Sequence, residues 1–213
     1  MRYTNVLMDF DGTIARTGDG IINGVKYACE KMGYTDGSPW EDWRRYIGPT
    51  VYKFATAVLG MNEAQRDEFM RLYAEYYKAR GIYEGPLYPG MGELIAALRK
   101  NGAKVFVCTS KPEELTLLCI EYLKLEFDGV VAMIPGRVTK DEVVEYCLLA
   151  FGLDPQESVM IGDRDSDVYS GKKFGTAAIG VTYGYGSAEE MSGCGADFVA
   201  HDVAELGSIL MGE

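Results

Sequence analysis

From residue 91 onward, short apolar runs alternate with stretches of helical period, and that alternation leaves few folds open. The runs lie at 103–108, 129–133, 158–161, 176–179 and 197–199. Between them, 91–100, 112–124 and 140–151 carry apolar residues at helical spacing, with Val143, Val144, Cys147 and Leu148 on one inward face. Strands joined by helices of about ten residues need right-handed crossovers, and these build a parallel sheet covered on both sides. A further apolar run, Val6-Leu7-Met8, breaks at Gly12 and supplies one more strand. The expected fold is α/β, a doubly wound parallel sheet.

Residues 21–80 read differently. Ile21, Val25, Ala28 and Met32 share a helix face, as do Phe69, Leu72, Tyr73 and Tyr76, and no stretch between them alternates like a strand. Glycine and proline cluster on either side, at Gly18 and Gly20, then at Gly81, Gly85, Pro86, Pro89 and Gly90, as in linkers that hinge. The expected organisation is a core of residues 1–16 and 86–213 interrupted by an all-helical insertion, 17–85.

Charge and residue usage narrow the chemistry. A formal net charge of -11 with no basic cluster beyond pairs such as Arg44-Arg45 and Lys172-Lys173 argues against nucleic acid as a partner. No run approaches the roughly 20 apolar residues of a membrane span, and Asp9 and Asp11 come before a signal-peptide apolar region could form, so the cytoplasm is expected. Five widely spaced cysteines without a C-x-x-C pair point to reduced thiols. A single histidine, His201, leaves little for a zinc site or a histidine triad. Carboxylates must carry the chemistry.

In a doubly wound sheet, ligands bind outside the carboxyl ends of the strands. There the sequence places Asp9, Asp11 and Thr13, then Thr109, Ser110 and Lys111, then Lys140 at a helix start, then Gly162-Asp-Arg-Asp-Ser-Asp167. Aspartate is common in turns, so each group alone has a plain explanation; their recurrence along one edge does not. Two carboxyls two residues apart suit a nucleophile paired with a proton-transfer group, and Gly12 allows close backbone approach to a phosphate. Asp163, Asp165 and Asp167 are spaced like a calcium loop, but Val168 and Phe174 stand where that loop needs glycine and a bidentate acid. A few carboxylates with water and substrate phosphate suit magnesium instead.

Asp9-Phe-Asp-Gly-Thr13, Thr109, Lys140 and Gly162-Asp163 through Asp167 together resemble the four motifs of the haloacid dehalogenase superfamily, in its phosphatase branch with a helical cap, over the whole chain. The stretch 179–187 and the helix ending at 76–81 are similar to its phosphoglycolate-phosphatase and 5′-nucleotidase-like group. The resemblance implies catalytic Asp9 as nucleophile and Asp11 as general acid/base, with Thr109 and Lys140 gripping phosphate. It also implies Gly12, Ser110 and Arg45 as substrate or phosphate contacts, and Arg45 with Gly48 as part of a cap region that faces substrate. Magnesium would be held by Asp9, Asp163 and the backbone carbonyl of Asp11, with Asp167 in support. Arg16 departs from relatives that carry an acid there, which bears on a cap hinge contact. Lys111 is the competing phosphate-binding lysine, but is expected at the surface. The implied activity is magnesium-dependent hydrolysis of a small phosphorylated metabolite through phospho-Asp9, by a monomer or homodimer. Alternatives are a phosphotransferase or mutase of the β-phosphoglucomutase type, and a catalytically silent binding module.

Overall fold

The computed structural model describes residues 1–34, 47 and 51–212. Six strands form one sheet: β1 Asn5–Met8, β2 Lys104–Pro112, β3 Gly129–Met133, β4 Ser158–Gly162, β5 Ala177–Val181 and β6 Phe198–Ala200. Every pairing is parallel, in the order β3-β2-β1-β4-β5-β6. The strands are apolar on both faces because helices cover both. Val6, Met8, Val105, Val107, Val159 and Ile161 face one core. Leu7, Phe106, Cys108 and Met160 face the other, against Val143, Val144, Cys147 and Leu148 of α6 Lys140–Phe151. Alternation along each strand divides neighbouring residues between the cores. Phe106 is buried between β2 and α6, and Phe106→Ala would cost about 3–5 kcal/mol in lost transfer energy plus cavity.

The chain leaves β1 at its carboxyl end into α1 Gly18–Lys31, a short helical turn α2 Val51–Lys53 that runs into a π-turn Phe54–Val58, α3 Glu63–Ala79 and a 3-10 turn Gly81–Glu84. Among the described residues this stretch contains no strand. Asn62 and Gln65 start α3 with a reciprocal capping box. Arg16 N–H donates to Pro86 O at 2.8 Å and Tyr88 N–H to Ile14 O at 3.3 Å, so the outgoing and returning segments run side by side. A Cβ on Gly20 would overlap Gly81 O, which ties the two ends of the helical stretch together. From there α4 Met91–Lys100, α5 Glu113–Leu123, α6, α7 Asp165–Lys173, α8 Ala188–Gly193 and α9 Val203–Met211 alternate with the strands. No described helix is long and apolar enough to cross a membrane.

Strand β2 runs past the expected end at 108 to Pro112, with a register shift between Cys108 and Pro112 where it pairs with β3. Thr109, Ser110 and Lys111 therefore stand on an irregular strand end rather than in a free loop. The apolar pattern stops at Cys108, but ladder bonding to Met133 carries the backbone further.

Candidate active site

The strand order reverses beside β1, the switch point where doubly wound sheets bind ligands. Asp9 follows directly. Its N–H donates to Ile161 O at 2.8 Å, extending the β1–β4 ladder by one residue, and the residue is 7% exposed. Lys140 reaches it from the first position of α6. Its Nζ lies 2.7 Å from Asp9 Oδ1, 2.7 Å from Asp167 Oδ1 and 3.0 Å from Cys108 O. The reciprocal bonds of Thr139 and Glu142 fix that helix start and hence the lysine's origin. Burial works against the Lys140 charge, but Asp167 and Asp9 outweigh it and hold the ammonium protonated well above the ordinary lysine range.

Asp163 leaves the end of β4, and Asp167 sits in the first turn of α7. Asp163 Oδ2 accepts from Tyr185 N–H at 2.7 Å, and Asp163 Oδ1 from the Thr13 hydroxyl at 3.4 Å. Asp167 Oδ2 accepts from Arg164 N–H at 3.1 Å. Burial, reinforced by Asp167 and Asp9, pushes the Asp163 carboxyl up to about 8. Burial also raises Asp167, opposed by Lys140 and aided by Asp9, to about 6. Glycines make this packing possible: a Cβ on Gly162 would overlap the Asp167 carboxylate, and Cβ atoms on Gly12, Gly184 or Gly186 would overlap Asp163. Gly12 also holds φ +89, which favours glycine on conformational grounds.

Oxygens of Asp9, Asp163 and Asp167 all lie within 4.8 Å of one another. Three carboxyls face one lysine, so full ionisation would leave two negative charges, which one divalent cation would balance. Among the described residues, Asp167 Oδ1 is buried with the Lys140 ammonium at 2.7 Å as its ion-pair partner and no further hydrogen bond. A buried carboxylate oxygen with one partner, oxygen-only donors and more acids than bases fit a hard divalent cation.

Asp11 turns elsewhere. Its carboxylate takes Lys111 Nζ at 3.1 Å and 3.2 Å and the Thr17 hydroxyl at 2.6 Å, so its side chain is not part of the three-acid cluster. Lys111 is 5% exposed, which overturns the surface expectation; Asp11 and the Tyr77 hydroxyl at 2.8 Å offset the cost of burying its charge. Thr109 is buried at the end of β2, its hydroxyl accepting from Lys111 N–H at 3.2 Å, and Ser110 beside it is half-buried. Arg45 and Gly48 lie outside the described residues. Sequence reasoning missed Thr17, Tyr77 and Tyr185 as site neighbours. Tyr185 spans the site, its N–H on Asp163 and its hydroxyl accepting from Gly18 N–H at 2.5 Å. The glycines on either side of it, Gly184 and Gly186, were the one local signal for that role.

A three-layer α/β core thus carries, at its switch point, three buried carboxyls that could hold a metal ion. The model of the haloacid dehalogenase-like hydrolases matches residues 6–181, and the chain belongs to that family. It is 31% identical to a 5′-nucleotidase of Pseudomonas aeruginosa over 99% of this chain and 96% of that one. A crystal structure of a predicted phosphatase from Clostridium acetobutylicum superposes with a TM-score of 0.90 at 30% identity, covering 100% of both chains. A tyrosine-protein kinase, PtkA of Mycobacterium tuberculosis, is 29% identical over 92% of this chain and 68% of its own. The phosphatase matches in both sequence and structure place the chain among the phosphatases of the family.

Proposed function

We propose that this chain is a magnesium-dependent phosphomonoester hydrolase that works through a phosphoryl group carried on Asp9. The observation that carries this reading is Asp9 at the switch point, gripped by Lys140 and grouped with Asp163 and Asp167. Asp9, Asp163 and Asp167 would hold the cation, with the Asp11 main-chain carbonyl as the family resemblance implies. When bound, it supplies positive charge against the phosphoryl oxygens and the attacking carboxylate. The Asp9 carboxylate attacks phosphorus, the P–O ester bond breaks, and Asp11, which enters this step in its protonated form, gives that proton to the leaving oxygen. Asp11 then takes a proton from water as the water attacks the acyl phosphate, which releases phosphate and restores Asp9. Lys140, and Thr109 at the neighbouring strand end, neutralise and orient the phosphoryl oxygens, with Gly12 and Ser110 lining the same edge.

Residues 17–85 act in this reading as a helical cap that encloses the substrate and excludes bulk water. Supporting it are the paired segments at 14–16 and 86–88 and the contacts of Tyr77 and Gly18 with Lys111 and Tyr185. Arg45 belongs to that cap as a substrate contact. The substrate class is a small soluble phosphate ester, and the relative named as a 5′-nucleotidase puts nucleoside monophosphates first in the panel. Five buried free cysteines accord with a reducing cytoplasm, and we place the enzyme there as a monomer or homodimer. The relative named as a kinase supports a second reading, transfer of the same phosphoryl group to a hydroxyl acceptor. Purified protein assayed against phosphorylated metabolites, with magnesium or with chelator and with and without acceptor alcohols, tests both. Hydrolysis that needs magnesium supports the first reading; full activity in chelator overturns it, and product appearing on the acceptor favours the second.

A further inference from the structure

Lys140 must satisfy groups on three elements at once. Its ammonium meets Asp9 beyond β1, the Cys108 carbonyl on β2 and Asp167 in the first turn of α7. The capping bonds of Thr139 and Glu142 fix where α6 begins along its own chain, but they run within that stretch and set no distance to α7. The next residue, Asp141, reaches across. Its Oδ1 accepts from the Ser170 hydroxyl at 2.6 Å and its Oδ2 from Lys173 Nζ at 2.6 Å. Ser170 is 2% exposed and lies one turn beyond Asp167, so consecutive residues of α6 meet consecutive turns of α7. The two links of Asp141 differ in weight. Lys173 is exposed, and a surface ion pair is worth little. The Ser170 bond is short, charge-assisted and made by a buried hydroxyl.

We propose that Asp141 is a positioning residue for Lys140: by holding Ser170 it sets the start of α6 against α7 and keeps the ammonium on both Asp9 and Asp167. The proposal rests on the reading of Lys140 as the group that neutralises the phosphoryl oxygens. Lys140 and Asp141 share a peptide bond, so moving the anchor moves the origin of the lysine side chain. A lysine stem is flexible, and a displaced ammonium still finds one acid; what it loses is the simultaneous grip on acids from two elements. Misplacing a reacting group by about 1 Å costs on the order of 10²-fold in rate, and partial compensation by the stem brings that to about 10-fold.

The test combines kcat/KM on a phosphate ester in magnesium, competitive inhibition by inorganic phosphate, and urea unfolding in chelator. Asp141→Ala and Ser170→Ala are each expected to lower kcat/KM about 10-fold and to weaken inhibition by phosphate. Asp141→Asn keeps an acceptor for Ser170 and is expected to stay within about threefold of the wild type. Lys173→Met, which removes only the exposed pair, is expected to stay within about twofold. In a Lys140→Met background, Asp141→Ala is expected to add less than about twofold, since both act through one ammonium. Urea unfolding applies the same cycle to the metal-free protein, where Asp141→Ala should lower the midpoint less once Lys140 is Met. Full additivity in both cycles overturns the proposal, as does a loss in Lys173→Met equal to that in Asp141→Ala. Lower stability in Asp141→Ala with kcat/KM and phosphate inhibition unchanged also overturns it and leaves a purely structural link. If Lys140→Met does not fold, the comparison of Asp141→Asn with Asp141→Ala and Ser170→Ala decides by the same criterion. Near-normal kcat/KM in Lys140→Met overturns the reading of Lys140 itself, and the unfolding cycle then decides the positioning role alone.

Discussion

Lys140 Nζ lies 2.7 Å from Asp9 Oδ1 although 131 positions separate them in the chain. The helix start that aims Lys140 and the strand end that presents Asp9 are each set locally, and the sheet order brings them together. The lysine also pairs Asp167, so it neutralises two buried acids at once. We predict that Lys140→Met destabilises the metal-free protein by about 3–5 kcal/mol, the usual cost of leaving buried charge unmatched. Activity is expected to fall at least about 10²-fold, as for loss of an electrostatic stabiliser. Chemical unfolding in chelator together with steady-state kinetics measures both, and unchanged stability would contradict the pairing.

The two first-motif acids are expected to fail differently when altered. Asp9→Asn removes the proposed nucleophile, so turnover and phosphoenzyme should vanish together, with a rate loss on the order of 10⁴-fold or more. Asp11→Asn should slow turnover by about 10²- to 10⁴-fold while still accepting phosphate from an aryl ester. Mass spectrometry after acid quench should then show phospho-Asp9 accumulating in Asp11→Asn and absent from Asp9→Asn. Near-normal turnover in Asp9→Asn would replace the covalent route with direct attack by water.

Metal-free stability is expected to fall as pH rises. Asp163 is pushed up to about 8 from an ordinary value of 3.8, and Asp167 to about 6. Between about pH 4 and 8 the folded state binds protons that the unfolded chain has released, so unfolding becomes easier as pH increases through that window. Lys140 is shifted upward, so the stability it contributes is fully present below the ordinary lysine value of 10.5 and is lost only above it, outside the window. Asp141 and Glu142 are held below their ordinary values by Lys173 and by Val138 N–H, so their contributions are lost only at still more acid pH. Melting temperatures in chelator should therefore decline from pH 5 to pH 8. Magnesium should reverse the decline by replacing the protons, and Asp163→Asn should flatten it. A rise across that range would contradict the sign.

Gly184 tests the cradle around Asp163. A Cβ there would overlap both the Asp163 side chain and Gly12 O, one of them backbone that cannot yield cheaply. Gly184→Ala is expected to raise the magnesium concentration for half-maximal activity by about 10- to 100-fold, the usual cost of disturbing groups that orient a metal ligand. It should also cost about 1–3 kcal/mol of stability from overpacking. A magnesium titration matching the wild type would show that the loop moves aside.

Residue order alone was enough to place the first-motif acids and the 162–167 cluster at strand ends. A strand that stops being apolar must turn, and in a parallel sheet every such turn falls on the same edge. The strands 129–133 and the helix 140–151 were legible to the residue because β-branched runs and a capping box mark their ends locally. The end of β2 was not, because its last residues are held by pairing with β3 rather than by their own pattern. Which acids share a cluster was likewise a tertiary matter: Asp9 joins Asp163 and Asp167, while the Asp11 side chain, two residues on, goes to Lys111. Lys111 reads as exposed because burying a lone ammonium is costly, and only partners 100 and 34 positions away offset that cost. Tyr185 reaches Gly18 across 167 positions. Local periodicity encodes the direction in which a side chain leaves its own element, but carries no record of what the folded chain will bring to meet it.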